Sequence, residues 1–327
     1  MSTRRIACAL IVLMLASLAC SVNLTDTPVP AATQAPGSTE VAATAIPLTP
    51  TVTATTAPAL TLDLLKNTEV QIVGNGAGPD TGTVRIIKLT DGHFQKGNDP
   101  AGTDYISVNM GQQVAFGDLN GDGVDDAAII IGENYGGTGD FVSVVAMLNQ
   151  DGKPVFGGLA GVDDRPMINS IDIQDGQILL DALIHGPNDP GCCAAQPAKD
   201  TFRLWGGKLI RSGRITQTPD KVQRMITIDS PAPGTEVSGP FTLKGSETVA
   251  PFENSLAYAV YQEGAPEPVL QSSITVSANG TGGPGTFEVP LDFSASGIKG
   301  NLRIEISDIS AADGSELALA TLLVTVK

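Results

Sequence analysis

Cysteine, histidine, tryptophan and positive charge are all scarce in this 327-residue chain. It has four cysteines, two histidines and one tryptophan, and 19 basic residues stand against 35 acidic ones, a net charge of −16. Cys8 and Cys20 fall within the first twenty residues, which leaves Cys192 and Cys193 for all the rest. A disulfide framework is thereby excluded as the main source of stability. The acidic balance excludes nucleic acid as a partner, because that needs a basic footprint. With only His93 and His185, histidine acid–base chemistry has few candidates. Neither a Gly-x-Ser-x-Gly elbow nor a His-Glu-x-x-His helix occurs. Long apolar stripes of period 3.6 are also lacking, whereas Gly 37 and Pro 22 accompany abundant Thr and Val. That combination predicts a mainly β chain with many turns.

What is present begins with a leader. Arg4 and Arg5 precede an apolar and small-residue run over 6–19, and Cys20 follows directly. The run is short for a membrane span, and its flanks are those of a cleavable export segment. Ser17-Leu18-Ala19-Cys20 resembles the lipobox of bacterial lipoproteins, with its leucine one place later than in the commonest form. The resemblance implies loss of the signal peptide 1–19 and a lipid-modified Cys20, carrying palmitate-type acyl chains. Such a residue would anchor the chain at the extracytoplasmic face of the cell membrane, each buried CH₂ contributing ~0.8 kcal/mol. Residues 20–61 are rich in Ala, Thr and Pro, with Asp26 and Glu40 their only charges. A segment of that kind buries too little surface to offset ordering entropy, so it is expected to be a disordered linker with a polyproline bias.

Residues 62–214 read as a β-rich domain. A short helix is expected at 62–65, then strands at 83–89, 127–132, 141–149, 168–173 and 177–184. A hairpin over 201–204 and 208–210 turns at Gly206-Gly207. Asp91-Gly92, Asp151-Gly152 and Asp175-Gly176 are turn signals between such runs. Trp205, at the last hairpin, is expected to anchor a core. Residues 215–224 are polar and read as a hinge. Over 225–327 seven short strands, at 225–228, 241–244, 256–262, 269–276, 286–291, 301–306 and 318–326, predict an immunoglobulin-like β-sandwich. Alternation in Leu302-Arg303-Ile304-Glu305-Ile306 puts apolar and charged side chains on opposite faces. No cysteine supports this sandwich, so packing alone must.

Several residues in that region carry a resemblance: Ile228-Asp229-Ser230-Pro231, Pro233-Gly234, Val237, Gly239-Pro240, Leu243, Gly245 and Pro251-Phe252-Glu253, with Gly285-Thr286-Phe287 and Asp313-Gly314-Ser315 beyond. The stretch resembles the immunoglobulin-like domain of bacterial spore germination proteins. The resemblance implies an extracytoplasmic, non-catalytic sandwich fused to other modules, and no particular biological process.

Asp118-Leu119-Asn120-Gly121-Asp122-Gly123-Val124-Asp125-Asp126 is the sharpest local signal. Asp118, Asn120 and Asp122 occupy alternate positions, Gly123 permits the tight turn, Val124 can offer its carbonyl, and Asp126 stands at the ninth place. Calcium takes six to eight oxygens, and alternate residues on a tight loop converge on one point. The bidentate glutamate of an EF-hand is missing, since Ile129 stands at the twelfth place. The loop instead resembles those of dockerins and of FG-GAP propeller repeats, in which a strand follows. A single copy does not make a propeller. Calcium bound here is expected to be structural.

A second cluster, His185 to Cys193, invites a zinc reading, but adjacent cysteines lack the Cys-x₂-Cys spacing that turns two thiolates on one ion. A vicinal disulfide between Cys192 and Cys193, or two reduced buried thiols, fits better. Gly136-Gly137-Thr138-Gly139 precedes a strand with no Lys-Ser/Thr after it, so it reads as a hairpin turn and not as a phosphate cradle. The expected function is a non-enzymatic, lipid-anchored binding or structural module whose partner is an envelope protein or a glycan. Two alternatives are an envelope carbohydrate hydrolase with a carboxylate pair hidden among the acids and an accessory subunit of a larger envelope complex.

Overall fold

The computed structural model describes residues 57–74, 84–265, 267–278, 280, 282–294 and 296–327. The leader 1–19, Cys20 and the linker up to residue 56 lie outside the described residues. Of the described residues about 60% lie in strands and 3% in helix, mainly β as the composition requires. Among the described residues no helix is long and apolar enough to cross a membrane.

The first element is a helix, α1 (Leu62–Lys66), capped by the Thr61 hydroxyl, which accepts from the Leu64 N–H. It buries Leu65. Strands β1 (Glu69–Val73) and β2 (Val84–Lys88) pair antiparallel, with Val70 opposite Ile87. A five-stranded antiparallel meander follows: β3 (His93–Lys96), β4 (Ile106–Gly117), β5 (Asp126–Asn134), β6 (Phe141–Gln150) and β7 (Lys153–Asp164). Strands β5 and β6 are covered on both faces. Ala127, Ile129, Ile131, Val145 and Met147 join Leu65, Val70, Ile72 and Ile87 in one core. Ala128, Ile130, Val144 and Ala146 point the other way. This double burial is why 127–131 is a continuous apolar run without alternation.

The opposite core is closed by β8 (Met167–Gln174), β9 (Gln177–Ile184), β10 (Gln196–Trp205) and β11 (Lys208–Gln217), whose Ile178, Leu180, Ala182, Ile184, Phe202 and Leu209 face inward. The tight turns have the backbone that the sequence implies: Asp151-Gly152, Asp175-Gly176 and Gly206-Gly207 all take positive φ at both central positions.

After β12 (Gln223–Arg224), the chain builds a sandwich. One sheet is β13 (Ile226–Ser230), β15 (Phe241–Glu247), β19 (Gly285–Leu291) and the short β18 (Ser277–Ala278). The other contains β16 (Ser255–Gln262), β17 (Leu270–Thr275), β20 (Gly300–Ile309) and β21 (Glu316–Val326), with β14 (Thr235–Val237) parallel to β21. Leu243, Leu256, Phe287, Leu302, Ile304, Ile306 and Leu322 form its core. The C-terminal part is therefore an immunoglobulin-like β-sandwich built by packing without cysteine.

The two parts share a sheet. β11 pairs antiparallel with β21, Gly213 opposite Ala320 and Arg214 opposite Leu319, so the order β17-β16-β20-β21-β11-β10-β9-β8 runs continuously from one to the other. The stretch read as a hinge, 215–224, holds the end of β11, a turn, and β12 folded back on β11 with Thr216 opposite Arg224.

Candidate functional site

The Asp-rich loop connects β4 to β5. Its first carboxylate, Asp118, turns over the loop's own backbone: Oδ1 accepts from the N–H of Asn120 (3.2 Å) and of Gly121 (2.6 Å), and Oδ2 accepts from that of Gly123 (2.8 Å). The Gly123 N–H is the chief reason its pKa is lowered, although burial opposes it. Asn120 Oδ1 accepts from the Asp122 N–H (2.9 Å), its Nδ2 donates to Asp122 Oδ2 (2.9 Å), and Asp122 Oδ1 accepts from the Val124 N–H (2.8 Å). Asp118, Asn120 and Asp122 thus gather round one turn, with Gly121 and Gly123 both at positive φ.

Asp126 has a different position. It is fully buried, its Oδ2 accepts from the Leu119 N–H (2.9 Å) and its Oδ1 from the Asn149 N–H (2.8 Å). Burial raises its pKa, and the charges of Asp122 and Asp118 add to that. Both of its oxygens pin backbone, tying the loop entrance to the end of β6. Asp118, Asn120, Asp122, the Val124 carbonyl and Asp126 remain the loop's candidate oxygens, those of Asp118 and Asp122 being engaged by donors of the loop just as those of Asp126 are by Leu119 and Asn149. Among the described residues no three His, Cys, Asp or Glu side chains converge as a metal cluster, so an ion here would rely on amide, carbonyl and water oxygens beside the carboxylates.

In the second cluster the Cys192 and Cys193 sulfurs are bonded to each other, their Cα atoms 3.8 Å apart. Sulfur tied in this way offers no thiolate to zinc. Asp189 braces the same loop, its Oδ2 accepting from the N–H groups of Gly186 and Ala195 at 2.9 Å each. His185 leans away, its Nδ1 2.9 Å from Asp163 Oδ2. Gly136 and Gly137 turn between β5 and β6, and a Cβ on Gly136 would meet the Pro100 carbonyl, so only glycine fits that close approach.

Apart from Trp205, the residues at the join of the two parts were not singled out in the sequence. Arg214, on β11, makes a two-pronged pair with the buried Asp200, Nε to Oδ1 at 2.7 Å and Nη2 to Oδ2 at 2.6 Å. Arg211 reaches both Asp200 (3.1 Å) and Glu316 (3.3 Å). Thr216 donates to the Leu317 carbonyl (2.6 Å), and Arg224 bonds Asp308 (2.6 Å). Trp205, half-buried at the β10–β11 hairpin, lies against Arg303 of the sandwich. Arg211 and Arg214 on β11 read equally well as part of a solvated face.

A shallow cavity of about 610 Å³ lies across the join, with Asp181, Lys199, Arg214, Met225, Leu319 and Thr321 among its walls. The carboxylates pushed up to about 7 are elsewhere. Glu133, on β5, is raised by burial and accepts from the Tyr135 hydroxyl. Glu247, on β15, is raised by burial and by the charge of Asp308. Residues 225–315 match the family model for the immunoglobulin-like domain of bacterial spore germination. No curated protein matches the chain.

Proposed function

We propose, from an immunoglobulin-like C-terminal domain fused edge to edge with a second β-rich unit, that this chain is a non-catalytic binding or structural module of the cell envelope. Its tether is a lipid on Cys20, and its place is the extracytoplasmic face of the cell membrane. The observation that carries the module reading is the ten-stranded sheet shared through β11 and β21. Edge-to-edge pairing, reinforced by the Arg211–Glu316 and Arg224–Asp308 pairs, makes a stiff double unit suited to presenting a surface. A hinged cleft that closes on a small substrate needs the opposite.

The acids also favour this reading over a glycan hydrolase. A glycosidase needs two carboxyl groups ~5–10 Å apart across one cleft, with one of them raised. Here the two carboxylates raised furthest, Glu133 and Glu247, stand in different parts of the fold. The partner is an envelope protein or a glycan. Calcium held at this loop, with Asp118, Asn120, Asp122, the Val124 carbonyl and Asp126 as its candidate ligands, would be structural, clamping the entry to β5.

The lipid tether rests on the order Arg4, Arg5, apolar run, Cys20. Expression of Cys20→Ala followed by cell fractionation tests it. The variant is expected to leave the membrane fraction, and membrane attachment that persists until detergent is added would refute the anchor. A pull-down from solubilised envelopes with the full chain as bait then identifies the partner.

A further inference from the structure

Between β15 and β16 the chain forms a tip, Pro251-Phe252-Glu253-Asn254. Pro251 is buried at its base, whereas Phe252 is 65% exposed, more than any other aromatic residue among those described. The stem that holds the ring out is tied to the sandwich on both sides. Ala250 N–H donates to the Gly283 carbonyl (2.7 Å), Asn254 N–H to the Pro251 carbonyl (3.0 Å), and the Asn254 carbonyl accepts from the Val276 N–H (2.8 Å). Glu253 and Asn254 take left-handed backbone, with φ of 56° and 53°, a conformation that glycine enters without strain. Side chains are nevertheless present at both positions. They are exposed, and among the described residues neither is hydrogen-bonded.

The tip borders an open cavity of about 680 Å³, which Phe252, Glu253 and Asn254 line together with Ile309 and the Arg224–Asp308 pair. We propose that this cavity binds a neutral sugar ring of an envelope glycan, stacked on Phe252 with its hydroxyls reaching Glu253, Asn254 and Arg224. The proposal rests on the binding-module reading above and names its ligand class. A pyranose carries C–H groups on its faces and hydroxyls round its edge, which matches an aromatic ring at the rim of a polar hollow. Arg224 offsets only one of the two carboxylates, so the site stays negative on an already acidic chain and rejects anionic sugars. An acyl chain would leave the Arg224–Asp308 charges without solvent. A partner protein anchored on Phe252 would enclose the ring in its own pocket and would have no use for the hollow beside it.

The experiment titrates the full chain by calorimetry with maltotriose, cellotriose and tri-N-acetylchitotriose as neutral probes and trigalacturonate as the anionic control. A neutral probe is expected to bind and the anionic one to fail. Phe252→Ala is expected to weaken binding by about tenfold, Phe252→Trp to retain it, and Asn254→Gly, which keeps the left-handed turn, to weaken it less. Phe252 lies outside the core, so the fold should survive its replacement, and circular dichroism checks this. In nuclear magnetic resonance spectra the C–H protons of the bound sugar should move upfield in the ring current of Phe252, and Phe252→Ala should abolish that shift. Failure of every neutral probe to bind, equal binding of trigalacturonate, or binding undiminished by Phe252→Ala would each overturn the site. Capture of an envelope protein through Phe252 without sugar binding would also overturn it, and would leave the module reading intact. Cleavage of a bound probe, followed by chromatography of the same samples, would support the sugar site and overturn the non-catalytic reading instead.

Discussion

The Arg303 guanidinium lies 5.0 Å from the ring centroid of Trp205, although the two residues belong to different halves of the molecule. Tyr261, paired with Arg303 across β16 and β20, covers its other side at 4.1 Å. The chain's only tryptophan therefore seals the join by cation–π contact, in addition to the strand pairing a few residues away. Trp205→Ala is expected to lower unfolding free energy by about 2 kcal/mol, combining lost ring burial with the lost cation contact. In urea, Trp205 fluorescence and far-ultraviolet circular dichroism of the unaltered chain should change together. A fluorescence transition well ahead of the other would mean that the join opens first.

Arg214 and Asp200 pair beside that join, buried on the β11–β10 ladder of the first unit. Removing one member leaves an uncompensated charge in a dry place. Arg214→Met is expected to cost about 3–5 kcal/mol, and Arg214→Met with Asp200→Leu to recover much of the loss. Chemical denaturation of the three chains measures both. Equal destabilisation by the single and the double change would show that packing, and not charge, matters at this position.

Much of the architecture was legible wherever one physical signal dominated. Gly206-Gly207 and the Asp-Gly turns gave the hairpins, and alternation in 302–306 gave β20. Strand β4 was not predicted because Asn109, Gly111, Gln112 and Gln113 interrupt its apolar pattern at an irregularity in its pairing with β5, between Met110 and Val114. Strand β7 was hidden by Gly157, Gly158 and Gly161, which lower strand propensity while letting neighbours approach closely. Arg303 and Glu305 did lie on the opposite face from Leu302 and Ile304. That face is covered by Trp205, a contact 98 positions away in sequence that no local pattern encodes. Glu247 was equally silent: one acid among 35, distinguished only once β15 buries it.

Calcium at the β4–β5 loop makes a direct prediction about melting. Modules that meet extracellular calcium bind with Kd values of ~10⁻⁴–10⁻³ M. At ten times Kd an ion that binds only the folded chain adds about 1.4 kcal/mol. The melting midpoint of the unaltered chain is expected to rise on adding calcium and to fall back with EGTA. Asp118→Asn with Asp122→Asn should abolish that response. Coincident curves with saturating calcium and with chelator would argue against an ion at this loop.

Glu133 makes stability depend on pH. It is fully buried on β5, and burial holds its carboxyl near 7 against an ordinary 4.5. Between those values the folded chain keeps a proton that the unfolded chain has lost, so the native state binds more protons and stability falls as pH rises. The loss begins near 4.5 and is complete just above 7, reaching about 3 kcal/mol for a shift of this size. Glu133→Gln keeps an oxygen for the Tyr135 hydroxyl and removes the titration. It should leave stability at pH 5 nearly unchanged and raise it at pH 8 by about 2–3 kcal/mol. Denaturation of both chains at the two pH values is the check. Glu247 shares the same direction of shift, as do Asp126 and Glu305. The difference between the two chains, and not the slope of either one, therefore isolates Glu133.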